Sequence, residues 1–136
     1  MTVNPLAKKL GLRPGMHALI IGPPHGYLKL IAPLPDGVSV SHVADGIHPF
    51  VQFFATRASE VKKSVPKLLR HAAGGALVWI AYPKKTSGLD SDLSREAVRD
   101  AMSGTGWRAV SIVAIDKVWS ALRFRPTKDV KSRSAN

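Results

Sequence analysis

Leu12 to Leu30 reads L-R-P-G-M-H-A-L-I-I-G-P-P-H-G-Y-L-K-L, and this stretch decides the fold. Met16 to Ile21 is an apolar run of strand length, with Pro14-Gly15 before it and Gly22-Pro23-Pro24 after it. An apolar run closed at both ends by turn residues predicts a strand buried on two faces, as in a parallel sheet. Gly26 then stands at the mouth of a short helical segment ending near Ile31, before Pro33 and Pro35. In an open α/β sheet, ligands sit in the crevice beyond the carboxyl ends of the strands. The Gly22–Gly26 loop is therefore the first place to look for a site.

Outward from that stretch, the chain alternates strand and helix signals. Upstream, Asn4 suits a helix N-cap, Pro5 the first helical position and Gly11 a stop. Downstream, Pro35-Asp36-Gly37 is a turn, Val38–Ser41 a short strand and His42–Gly46 a loop. Pro49–Ala55 (P-F-V-Q-F-F-A) has β-formers on both faces. Val61, Val65, Leu68, Leu69 and Ala72 then follow a helical period, with Ser59 as the expected cap and Glu60 in the first turn. Pro66 falls inside that pattern and predicts a kink or a break, with Ser64 able to cap a second piece. Gly74-Gly75 reads as the end of that helix.

Ala76–Tyr82 is the fourth strand and Pro83–Ser91 a loop. Ser94 caps another helix, with Leu93 and Val98 placed as a hydrophobic staple. Trp107–Ile115 and Trp119–Arg125 are two more strands, and the short Asp116-Lys117-Val118 link between them fits only an antiparallel hairpin. The expected fold class is α/β: a Rossmann-like three-layer sandwich, its sheet mostly parallel and ending in an antiparallel hairpin. Residues 1–126 are expected to form one domain, and residues 127–136 a basic mobile tail.

Composition narrows the function classes. Twenty Lys and Arg against nine Asp and Glu give a net charge of +11, which favours anionic partners. The chain has no cysteine, so disulfides and thiolate metal sites are excluded. No apolar run approaches the ~18 residues of a membrane span, and Met1–Leu12 lacks a signal-peptide pattern. A cytoplasmic protein with no membrane partner is the expectation.

Several residues are candidates for chemistry. Gly22, Pro23, Pro24, His25 and Gly26 form the loop at the first crevice. Lys84, Lys85, Thr86, Ser87 and Gly88 follow a central strand, where two ammonium groups and two hydroxyls suit a phosphate or carboxylate. The order of a phosphate-cradling Walker loop is absent. Asp116 is expected to close its own turn and Trp119 to pack on the sheet. Lys63, Lys67 and Arg70 fall in one ~60° sector of a helix at ~100° per residue. With Lys128, Lys131 and Arg133 they could track a nucleic-acid backbone. The five histidines form no metal-binding pair, and no catalytic constellation is present.

The strings L-R-P-G-M-H-A-L-I-I-G-P-P-H-G and A-A-G-G-A-L-V-W-I, in this order of elements, resemble the Rossmann-like class I methyltransferases that use S-adenosylmethionine. The resemblance spans about Leu12 to Phe124. It implies that Gly22 and Gly26 match the outer glycines of that family's first motif. Its middle glycine falls on Pro24 and its acid on Ile20. Ser41 and His42 stand where the family's ribose-binding acid ends the second strand, with Asp45 beyond. Ala55-Thr56-Arg57 replaces an Asn-Pro-Pro-Tyr-type motif. The chain is also similar, nearly end to end, to a family of small bacterial proteins known only as a domain of unknown function. The strings carrying that similarity are L-R-P-G-M-H-A-L-I-I-G-P-P-H-G-Y, A-Y-P-K-K-T-S-G with the following D-L-S, and D-K-V-W-S-A-L-R-F.

Three readings follow. The first is non-catalytic binding of an anionic small molecule between Gly22–Gly26 and Lys84–Gly88, with no cofactor. The second is an active or vestigial methyltransferase using S-adenosylmethionine. The third is a basic adaptor for nucleic acid or an acidic protein.

Overall fold

The computed structural model describes residues 2–130. A six-stranded sheet runs through it. In chain order the elements are α1 (Pro5–Leu10), β1 (His17–Ile21), α2 (Tyr27–Ile31), β2 (Ser39–Ser41), β3 (His48–Phe54), α3 (Ala58–Leu68), β4 (Ala72–Pro83), α4 (Arg95–Ala101), β5 (Trp107–Ala114) and β6 (Trp119–Pro126). The strand order is β2-β1-β3-β4-β6-β5. The β2, β1, β3 and β4 strands are parallel, while β6 runs antiparallel to both β4 and β5. The mostly parallel sheet with a closing hairpin is the expected fold.

Helices cover both faces because the central strands are apolar on both. Alternate residues of a strand point to opposite faces. Ala18, Ile20, Phe50, Phe54, Trp79 and Ala81 pack under α1 and α2. Leu19, Val51, Phe53, Val78 and Ile80 pack under α3 and α4. The α1 helix starts as expected: Asn4 Oδ1 accepts from the amides of Leu6 and Ala7, and Gly11 ends the helix at φ 92°. Ser94 caps α4 through Ala97, with Leu93 and Val98 both buried beside it.

Three expectations fail, all around α3. Ser59 is not its cap. The helix begins two residues earlier, at Ala58 with Arg57 in the cap position, and Glu60 reaches back to the amides of Thr56 and Arg57 at 3.0 and 2.9 Å. Asp92 takes the Ala58 amide at 2.8 Å. Pro66 does not split the helix, which runs on to Leu68, so Ser64 caps nothing. The donor that Pro66 lacks would have met the carbonyl of Lys62, and both residues lie on the exposed side of the helix. Nor does Gly74-Gly75 end the helix. A 3₁₀ turn, Leu69–His71, does so, and both glycines lie inside β4. There the ladder slips: His48 pairs with Ala72 and Phe50 with Leu77, two residues of β3 against five of β4. Gly75, at φ 75°, carries that bulge.

At the far end, Thr127–Asp129 adds a 3₁₀ turn, its first amide donating to Gly106 O at 2.8 Å. Lys128 sits in that turn; Lys131 and Arg133 lie outside the described residues.

Candidate functional site

The switch in strand order lies at β1, whose partners β2 and β3 sit on opposite sides of it. The crevice beyond β1 and β3 is where a sheet of this kind holds a ligand. Here the loop's own backbone groups are partly used within the chain. In the Gly22–Gly26 loop, Tyr27 donates its amide to Pro24 O at 3.1 Å, and Gly26 sits at φ 83°, ψ 0°. That is a tight turn with glycine where φ must be positive. The amide at the start of α2 is thereby used internally. Pro23 and Pro24 have no amide to give. His25 is exposed, with no hydrogen-bond partner among the described residues.

The start of α3 is filled as well. Free amides at a helix N-terminus attract anions, and the carboxylates of Glu60 and Asp92 already take them. The Thr56 and Arg57 amides and the Thr56 hydroxyl hold the Glu60 carboxyl below its usual range. The loop after β4 is strapped down over this point. Arg57 pairs with Asp90 at 2.6 Å, and Ser91 Oγ donates to Thr56 O at 2.6 Å.

The histidines near β2 are structural. Ser41 pairs with Leu19, so β1 outruns β2, and His42 Nδ1 lies 2.8 Å from the Ile20 carbonyl. His48 contacts the carbonyls of His17 and Asp45, and His71 that of Gly46. These contacts tie down residues 42–47, which join β2 to β3 without a helix. Among the described residues no three His, Cys, Asp or Glu side chains converge as a metal site would need.

The second predicted segment fares differently. A cavity of about 340 Å³ opens beyond β4, against β6 and α4. Lys84, Lys85 and Arg95 line it together with Tyr82, Ser94 and Ser120. Lys84 Nζ is anchored on Asp116 O at 2.6 Å, which fixes the ammonium at the rim. Asp116 in turn closes the hairpin, accepting from Val118 and Trp119, and Trp119 packs edge-on against Phe54 at 5.2 Å. Burial pushes the Tyr82 phenol up, opposed by the charge of Arg95, so it stays a neutral donor. Glu96 is the one carboxylate in the lining, 3.6 Å from Arg95. Three cations therefore face one anion.

Of the remaining predicted residues, Thr86, Ser87 and Gly88 do not line this cavity. Lys85–Ser87 forms a 3₁₀ turn, and Ser87 Oγ accepts from Leu89 at 3.2 Å. The Gly22–Gly26 loop does not line it either, being separated from β4 by β3. Lys63 and Lys67 share a groove with His71, whereas Arg70 lies in the 3₁₀ turn and faces another beside Lys62 and Trp107. The helical period that grouped Arg70 with them ends at Leu68. Arg95 and Tyr82 were not anticipated; Arg95, one position past a predicted cap, carried the only sequence signal.

Comparison with known proteins reaches the fold alone. No protein-family model matches the sequence, and no curated protein matches it. Among solved structures, the chain resembles a ribosomal protein L11 methylase from Lactobacillus delbrueckii subsp. bulgaricus, with a TM-score of 0.58 at 10% identity, over 89% of this chain and 74% of that one. It resembles a protein of the NADB-Rossmann superfamily from Streptococcus agalactiae, with a TM-score of 0.54 at 10% identity, over 93% and 69%. It also resembles a SAM-dependent methyltransferase from Aquifex aeolicus, with a TM-score of 0.52 at 18% identity, over 86% and 85%. The architecture is that of Rossmann-like proteins, S-adenosylmethionine-dependent methyltransferases among them. No helix of the described residues is long and apolar enough to cross a membrane.

Proposed function

We propose that this Rossmann-like domain binds an anionic small molecule at the carboxyl edge of its sheet without catalysing a reaction on it. The observation that carries this reading is the convergence of Lys84, Lys85 and Arg95 with two serines beside the end of β4. Relative to the sequence expectation, the ligand lies against α4 rather than against the Gly22–Gly26 loop. Arg95 would hold a carboxylate or phosphate through its planar fork, Lys84 and Lys85 would supply charge, and Ser94 and Ser120 would offer hydroxyls.

We read the same edge as unsuited to S-adenosylmethionine. Ile20, at the position of the motif acid, is 0% exposed in the core. Pro24 brings a ring where the family's glycine brings none. His42 is committed to the Ile20 carbonyl at the end of β1, and no carboxylate stands in its place. Methyl transfer therefore remains the second reading, supported by fold likeness only.

Thermal melts with inorganic phosphate and with citrate test the first reading. The expected result is a stabilising shift that Lys84→Ala with Lys85→Ala reduces while the unliganded melt stays cooperative. A shift as large in this double variant and in Arg95→Gln as in the parent overturns it. Calorimetric titration with S-adenosylmethionine tests the second reading, and micromolar binding would restore it.

A further inference from the structure

On the face covered by α1 and α2, the helices stop short of the hairpin. Leu10 and Trp79 mark the boundary, where Trp79 Nε1 donates to Leu10 O at 2.9 Å. Beyond them no helix of the described residues covers β6 and β5 on this face. Trp79 pairs with Arg123, and Arg123 with Ser111, so the three form a row across this open half-sheet. A cavity of about 500 Å³ lies over the row. Arg123 forms its floor, Arg13 and Lys9 overhang it from the α1 segment, and Leu77 and Val113 give it apolar walls.

The charges in this basin are uncompensated. Arg57–Asp90 and Arg95–Glu96 are the ion pairs among the described residues, and neither is here. The Nε of Arg123 is buried and has no hydrogen-bond partner among the described residues. An unmade hydrogen bond from a buried charged donor is costly. Burial and the neighbouring charges of Arg125 and Arg13 all push against the Arg123 guanidinium. A cluster of like-charged guanidiniums is stabilised by an anion that meets their solvent-facing edges.

We propose that this basin, at the amino edge of the sheet, is a second site that binds the phosphoryl group of a small organic phosphate. Arg123 and Arg13 present guanidinium forks to the phosphoryl oxygens, and Lys9 adds charge. Ser111 donates its hydroxyl. Leu77 and Val113 pack on the organic part. The site lies at the opposite sheet edge from the Lys84–Arg95 cavity, so the two can be tested apart.

Isothermal titration of the full chain with pyrophosphate, adenosine diphosphate and adenosine decides the matter. Pyrophosphate and the diphosphate are expected to bind and adenosine not to. Arg123→Gln should weaken binding about tenfold or more, the share of one charge-assisted hydrogen bond. Arg13→Gln, at an exposed position, should do the same with no risk to the sheet. Lys84→Ala with Lys85→Ala should remove only the share that belongs to the Lys84–Arg95 cavity and leave the Arg13- and Arg123-dependent binding intact. The proposal is overturned if neither phosphate binds, if both Arg variants bind as the parent does, or if binding is lost only in the lysine variant. It is also overturned if only a single-stranded oligonucleotide binds, since a nucleic-acid surface would then be the better account.

Discussion

The Tyr27 hydroxyl donates a 2.7 Å hydrogen bond to Gln52 Oε1, with both side chains buried beneath the loop that follows β1. Gln52 is 0% exposed, and its Nε2 has no partner among the described residues. Burial dominates the Tyr27 phenol and pushes its pKa far up, so it donates at any physiological pH. Tyr27→Phe should cost about 1–3 kcal/mol, because the buried Gln52 carbonyl then loses this partner as well. Adding Gln52→Leu should recover part of that loss. Urea melts of the two variants measure both steps; equal stability of single and double variants would contradict the account.

Asn4 works in two directions. Its Oδ1 caps α1, while its Nδ2 donates to Leu30 O and Ala32 O at 3.0 and 2.8 Å, stitching α1 to the end of α2. Aspartate is ordinarily an equally good cap. Asn4→Asp keeps the cap, yet it sets a carboxylate oxygen against two carbonyls. It should therefore destabilise by about 1–3 kcal/mol, and more than Asn4→Ser does. Chemical denaturation of the pair gives the order directly.

Gly11 has φ 92°, and a Cβ there would stand 2.6 Å from Leu77 Cδ1. Gly11→Ala should destabilise by about 1–3 kcal/mol through left-handed strain plus the clash. Leu77→Ala in the same chain should relieve only the clash. A double-mutant cycle separates the two parts.

Glu60 links stability to acidity. Its folded pKa lies below the usual carboxylate value, so its contribution is complete above the unfolded pKa of about 4.3. It fades as pH falls through the folded value. Glu60→Gln should be less stable than the parent by about 0.5–1 kcal/mol at pH 7, an exposed capping contribution. The gap should close as the pH drops below 4. Thermal melts from pH 3 to 7 follow it; a gap independent of pH would rule out the carboxylate as the source.

The fold was legible because apolar runs and their turn residues report burial directly. Met16–Ile21, Pro49–Ala55 and Ala76–Tyr82 each lie within a residue or so of a strand, except that β4 starts four residues earlier. That extension carries no sequence mark, because Ala72, Ala73 and two glycines suit a helix end, a bulge or a strand equally. The start of α3 was hidden for a different reason: Asp92, which takes the Ala58 amide, is 34 positions away. Charge clusters made across strands are invisible to spacing on one strand. Arg123 and Arg125 alternate on β6 and so share a face, but only the paired strands show that α1 brings Arg13 and Lys9 to the same basin.

Six residues, 42 to 47, carry the chain from the edge strand back across β1 to β3. Val43 and Ile47 in this span are 71% and 64% exposed. Connections with exposed tips accept added sequence more readily than framework elements do. Sequence grafted at the exposed Ala44, clear of the His48 contact on Asp45, would enter beside the Lys63–Lys67 groove while leaving every sheet ladder intact. For anyone re-engineering this scaffold, the shortest crossing in the molecule is also its most permissive doorway.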